Sequence, residues 1–370
     1  MSPPTLAKGP SNVIRHATLA AILTALAGPA MAQEPVPLRT APDAYLRSTP
    51  ETVLRGSISA TRAPVLRITS GQTVRIDTVS HGGLTNDPVA YFAQAGIPAD
   101  EVLQDVKDIA AASTGEGWRG HVLTGPIYVE GAEPGDMLEI RVVDLEHRVP
   151  YGVNSPGTGG VVPGLLTEQV QKILKFDLER RVALFSPDIE VPLGPFLGIM
   201  AVAPDPAIGT VGSRAPGIFG GNMDLKRLVV GSTLYLPVFN PGALFYTGDA
   251  HAAQGDGEVS GNAIEASLTG TLQFIVHKGK GADMPAPFAE DADNYYVMGL
   301  DEDLDNAMRK SVENTVAFLQ SHAGIPKADA YSISSIAVDF AVAEAVDGVE
   351  IIYGTVPKSL FLKTVPYWTE

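Results

Sequence analysis

The chain contains no cysteine among its 370 residues. That absence excludes disulfides, thiolate metal ligands and a cysteine nucleophile, and with the last a nitrilase-type mechanism. Positive charge is scarce too: 26 Lys and Arg stand against 42 Asp and Glu, a formal net charge of −16. No block of lysine or arginine stands out. Nucleic-acid binding needs a concentrated positive face, so it is disfavoured. Several catalytic signatures are missing: no G-x-S-x-G elbow, no S-x-x-K, no H-E-x-x-H and no Walker A loop. Gly257-Glu258-Val259-Ser260-Gly261 carries its serine one place too late for the elbow. Beyond the N-terminus no segment is long and apolar enough to span a bilayer, so no membrane partner is expected.

What the chain does have begins with an export signal. Lys8, Arg15 and His16 lead into the apolar stretch 17–28, and Ala30-Met31-Ala32 forms an A-x-A cleavage pattern before Gln33. There is no twin arginine, which favours a Sec-type route. Residues 1–32 are therefore expected to be a signal peptide and 33–370 a single domain. The expected location is the periplasm or the exterior.

Hydrophobic residues make up 45% of the chain, and 38 glycines and 29 prolines punctuate it, which suits many short strands joined by turns. Leu138, Ile140 and Val142 alternate with Glu139 and Arg141, the period of two of a half-buried strand. Leu234, Leu236 and Val238 repeat the pattern. Ile264, Ala266, Leu268, Leu272, Phe274 and Val276 all fall on even positions, which predicts one long strand. Residues 87–112 read as helix in two pieces, broken at Gly96-Ile97-Pro98. Leu304, Met308, Val312, Val316 and Leu319 make a helical stripe over 303–322, ended by Gly324 and Pro326. A second helix is expected near 328–338, with strands from 339 to 354. Residues 147–164, rich in Gly and Pro, read as a long loop. The fold class is mainly β: a β-sandwich-like core with a few peripheral α-helices.

The segment that most needs explaining is GDAHAAQGDGE, 248–258. It carries three carboxylates, one imidazole and one amide between three glycines, and reads as a glycine-rich loop. Carboxylates this crowded repel one another unless a cation or proton intervenes. Mixed His and carboxylate donors suit zinc or a similar divalent ion, whereas oxygen ligands alone would suit calcium. Asp249 and His251, and Asp256 and Glu258, stand two apart, so on extended backbone each pair points to one side. Glu265 lies opposite the apolar face of its strand. The bland alternative is a solvated acidic hairpin. His81, beside Gly82 and Gly83, could approach a ligand or merely turn the chain. Asn222 and Asp224 after Gly220-Gly221 read on their own as an Asx turn. His121 reads as a packed or capped histidine, and His147, His277 and His322 receive no role. With no serine or cysteine nucleophile supported, the chemistry left is a metal-polarised carbonyl attacked by activated water, a carboxylate moving the protons.

Residues 121–142 (HVLTGPIYVEGAEPGDMLEIRV), 220–238, 242–265 and 293–319 together resemble the acetamidase/formamidase family. The resemblance extends to 80–98 and 356–361 and so covers most of the chain beyond residue 32. It implies hydrolysis of small amides to a carboxylate and ammonia, a compact β-sandwich-like fold and a homo-oligomer, a dimer favoured. The motif is matched at Asn222, Asp224, Asp249, His251, Gln254, Asp256, Glu258 and Glu265. On this basis Asp249, His251 and Asp256 are expected to ligate the metal, and Glu258, Glu265 and His81 to be catalytic. Asn222, Asp224 and Gln254 are expected to line the substrate pocket, with His81 in the same cavity. The alternative function is a non-catalytic, metal-stabilised periplasmic β-sandwich binding a small ligand or glycan.

Overall fold

The computed structural model describes residues 41–113 and 120–363. The expected signal peptide lies outside the described residues. Two large sheets carry the fold, one of nine strands and one of eleven, with a two-stranded ribbon beside them. The nine-stranded sheet has Leu268–His277 and Met137–His147 at its heart, paired over ten residues. The eleven-stranded sheet centres on Phe245–Ala253, which pairs with Phe196–Ala201, Ile264–Glu265 and Val122–Glu130.

The two sheets share one core. Leu138, Ile140 and Phe274 from the first meet Leu123, Ile199 and Phe245 from the second, all fully buried. The Phe245 and Phe274 rings stand 4.9 Å apart at 69°. This is the mainly β architecture expected, and among the described residues the α-helices are four. Pro88–Ala93 starts on Asp87, whose side chain accepts from the Ala90 N–H at 2.9 Å. Leu304–Ala323 is capped by Asp303 and stops at Gly324, whose φ of 66° supplies the left-handed C-cap. No described helix is long and apolar enough to cross a membrane.

Four expectations change. The 248–258 segment is not all loop: the strand runs on to Ala253, buried at every position. Hydrogen bonding on both sides satisfies its backbone, which a buried loop could not do. The long strand expected over 264–276 is two: Ile264–Glu265 belongs to the eleven-stranded sheet and Leu268–His277 to the nine-stranded one. The chain changes sheets between them, keeping its even-numbered residues inward, so periodicity alone could not reveal the break. The 147–164 loop contains the strand Tyr151–Asn154. Glu139, expected to face out, is buried and bonded at 2.5 Å to both Arg141 and His277.

Candidate functional site

The site is built on the central strand. Asp249 and His251, two apart on Phe245–Ala253, project to one side, while Ala250 between them packs into the main core. Neighbouring segments add to them. Glu265 lies opposite His251 in the register of the next strand. His121 immediately precedes Val122–Glu130, which pairs Leu123 with Gly248. Asn222 ends Gly220–Asn222, Asp224 follows, and His81 stands on the turn after Thr73–Asp77.

The distances bring most of these together. His81 Nδ1 lies 3.1 Å from Asp249 Oδ1 and 3.6 Å from Glu265 Oε2. His251 Nε2 lies 3.4 Å from Asp249 Oδ2 and 3.5 Å from Glu265 Oε2. His121 Nε2 is 3.8 Å from Asp249 Oδ2. Glu258 groups with His251 and Glu265, and also with Asp224 and Asp347, ligand atoms within 4.8 Å of one another. Asp249, His251 and Glu265 are almost wholly buried.

The backbone is strained here. Asp224, Asp249 and Glu258 have φ of 43°, 49° and 42°. Each non-glycine residue in that region costs on the order of 1 kcal/mol, so three site carboxylates are held against local preference. Gly198 on the adjacent strand leaves room for Asp224 and His251. A Cβ there would sit 2.5 Å from Asp224 Oδ1 and 3.0 Å from His251 Cε1.

Two imidazoles are oriented from behind. His251 Nδ1 lies 2.9 Å from Gln254 Oε1, an atom that can only accept, so Nδ1 carries a proton and Nε2 faces the cluster. Gln254 is fixed in turn by donating to the Asp224 and Ala343 carbonyls. His121 Nδ1 pairs with Ser213 Oγ at 3.0 Å, which leaves its Nε2 toward Asp249.

Burial opposes charge on His81, but Glu265 and Asp249 outweigh it and raise its pKa to about 9. His251 is raised well above the usual value by the same carboxylates against the same burial. For Asp249, burial is overcome by His121 and His251, which hold it well below the usual carboxylate range. Burial, with Glu265, Asp347 and Asp249 nearby, pushes Glu258 up to about 8 against the opposing pull of His251. Burial and Glu258 likewise raise Asp224.

Of the residues singled out from sequence, His81, Asp224, Asp249, His251, Glu258 and Glu265 gather in this centre. Asn222 borders it through Asp347, donating to its carboxylate at 2.7 Å. Gln254 stands behind His251. Asp256 is not brought in: past the end of the strand, it meets Lys226 at 2.8 Å and the Tyr353 hydroxyl at 3.0 Å. Sequence reasoning missed His121 and Asp347. Both arrive through strand pairing and chain return, and no local motif flags either.

Two packed β-sheets and a partly buried nest of three imidazoles and several carboxylates define a β-sandwich protein with an enzyme-like polar centre. The acetamidase/formamidase family model matches residues 64–213 and 205–363, and the chain belongs to that family. A putative formamidase of Schizosaccharomyces pombe is 28% identical over 276 residues, 59% of this chain and 62% of that protein. An acetamidase of Mycolicibacterium smegmatis is 26% identical over 50% of this chain and 58% of its own length. The chain thus spans about three-fifths of the length of these two relatives. An acetamidase structure from Bacillus halodurans superposes with a TM-score of 0.70 at 26% identity, over 86% of this chain and 98% of that one. A predicted acetamidase/formamidase from Thermoanaerobacter tengcongensis gives 0.71 at 24% identity, over 86% and 96%, and so speaks to the fold.

Proposed function

We propose that the protein is an exported, metal-dependent amidohydrolase that cleaves a small linear amide to a carboxylate and ammonia. The observation that carries this reading is a set of buried ligand atoms that crowd one another without a well-aligned hydrogen bond: His81 Nδ1, Asp224 Oδ1, Asp249 Oδ1, His251 Nε2 and Glu265 Oε2. Buried polar atoms are normally satisfied, and five that meet only as poorly aligned neighbours ask for a shared partner. A divalent cation fits the donor set, and mixed nitrogen and oxygen donors favour zinc over calcium. His81, His121, Asp249, His251 and Glu265 would hold it. Asp256 takes no part in this set. Gln254 behind His251 and Ser213 behind His121 are the outer partners such ligands need. A bound divalent ion supplies Lewis-acid chemistry, polarising a carbonyl and acidifying water.

The chain's own residues do the rest. With Glu265 engaged between His81 and His251, Glu258 is the better base. Its carboxylate takes a proton from water as the oxygen attacks the amide carbon. It returns that proton to the nitrogen, so the C–N bond breaks with ammonia leaving. Asn222 Oδ1, buried and unpartnered, can accept a hydrogen bond from the substrate's amide N–H. Asp224, held toward its neutral form, can donate one to a substrate oxygen. The proposal includes a homo-oligomer, a dimer favoured.

Ammonia release from a panel of linear amides tests the reading in two variants. Glu258→Gln should lower kcat by about 10²–10⁴ with metal content kept. His251→Ala should lose metal and activity together. Full activity and metal in His251→Ala would remove the assignment, and loss of metal in Glu258→Gln would make Glu258 a ligand and pass the base role to Glu265.

A further inference from the structure

Glu258 faces two ways. Its carboxylate belongs to the polar centre, and its residue also lines a pocket with a cavity volume of about 490 Å³. Gln254 lines the same pocket. The walls are mostly apolar, with Phe185, Val191, Ala253 and Ile264 among them. Polar groups, such as those of Asn154 and Ser260, complete the lining.

This space is out of scale with the smallest amides. Formamide and acetamide have three or four heavy atoms, and at about 30 Å³ for a water-sized group each fills on the order of 100 Å³. Pockets of roughly 300–1,000 Å³ hold far larger molecules and are lined mainly by apolar side chains. The charge of the lining narrows the choice. Asp256 and Glu258 both line the pocket, and Asp347 lies behind Glu258. An ionised tail would lose its hydration against the apolar walls.

Resting on the amide-hydrolysis reading above, we infer that this pocket receives the acyl chain of the substrate. The preferred substrate is then a primary amide with an uncharged, apolar acyl chain of about five to eight carbons, a length set by the pocket's size. Acetamide would leave the pocket to water. Val191 and Phe185 act as specificity-determining residues, touching the chain and not the reacting carbonyl.

The test is kcat/KM by ammonia release for acetamide, butanamide, hexanamide and octanamide. A fully buried methylene contributes about fourfold, so four of them allow hexanamide to exceed acetamide by at least tenfold. Val191→Trp fills the pocket and should cut that preference at least tenfold. Phe185→Ala widens it and should move the optimum toward octanamide, a second reading should the tryptophan variant not fold. Equal kcat/KM for acetamide and hexanamide overturns the inference while leaving amide hydrolysis standing. An unchanged preference in both variants also overturns it. If no amide is hydrolysed, the amide reading fails by itself, and calorimetric titration with hexanamide decides the pocket. Binding to the wild type that weakens at least tenfold in Val191→Trp supports it, and no binding, or equal affinity in both proteins, overturns it.

Discussion

Gly198→Ala should disable the site with little damage to the fold. Gly198 lies in Phe196–Ala201, beside the strand that carries Asp249 and His251. A Cβ at this position would sit 2.5 Å from Asp224 Oδ1, 2.7 Å from the Asp249 carbonyl oxygen and 3.0 Å from His251 Cε1. The backbone here is outside the left-handed region, so alanine adds a steric contact and no dihedral strain. The carbonyl cannot rotate away, because it belongs to a paired strand. Asp224 and His251 cannot swing out, because both are about 99% buried. Something must therefore move by up to about 1 Å, and overpacking of this kind costs about 1–3 kcal/mol of stability. A misplacement of that size at a catalytic group can cost about 10²-fold in rate. Gly270→Ala is the matched control: its Cβ would meet only side-chain ends, of Leu197 and Leu145, at 3.3 and 3.4 Å. Ammonia release, metal content and thermal unfolding should be measured on both. Gly198→Ala is expected to fold, melt a few degrees lower and lose about 100-fold in kcat/KM or most of its metal, while Gly270→Ala keeps activity. Wild-type activity and metal in Gly198→Ala, or an equal loss in Gly270→Ala, would refute the reasoning.

Further outcomes are expected. Gln254→Ala frees His251 Nδ1 from its acceptor and should lower metal affinity or activity by about 10–100-fold, read by metal titration and turnover. Glu344 is fully buried, and burial pushes its pKa to about 8 against the help of two backbone N–H groups. A carboxyl raised in the fold stabilises below its unfolded value near 4.5 and loses that contribution as pH climbs to about 8. Glu344→Gln should therefore remove part of the stability decline between those pH values in denaturant titrations. N-terminal sequencing of the exported protein should read from near Gln33, and retention of residues 17–32 in a soluble exported form would count against the signal peptide.

The sequence carried the parts of the fold and site that depend on local spacing. The alternation at Leu138, Ile140 and Val142 and the stripe at Val312, Val316 and Leu319 report burial directly, and both elements formed where expected. Asp249 and His251 were legible because i and i+2 share a face on any strand. The same rule misled at Asp256, since the strand ends at Ala253 and nothing in the spacing marks that end. The sheet change between Ile264–Glu265 and Leu268–His277 was invisible because inward alternation continues through it. His121 could be recognised only through the pairing of Leu123 with Gly248 across more than a hundred residues. Gly198 has no signal at all, because the need for an absent side chain exists only once Asp224 and His251 are in place.

Metal-dependent amide hydrolysis at the proposed His81–Asp249–His251–Glu265 centre stands or falls on chelation. Purified protein should be assayed for ammonia release from linear amides before chelation, after it, and after return of one equivalent of zinc, with bound metal quantified at each stage. About one ion per active centre is expected, with activity lost when it leaves and restored when it returns, and no restoration in His251→Ala. Undiminished amide hydrolysis by protein shown to be free of metal would contradict it.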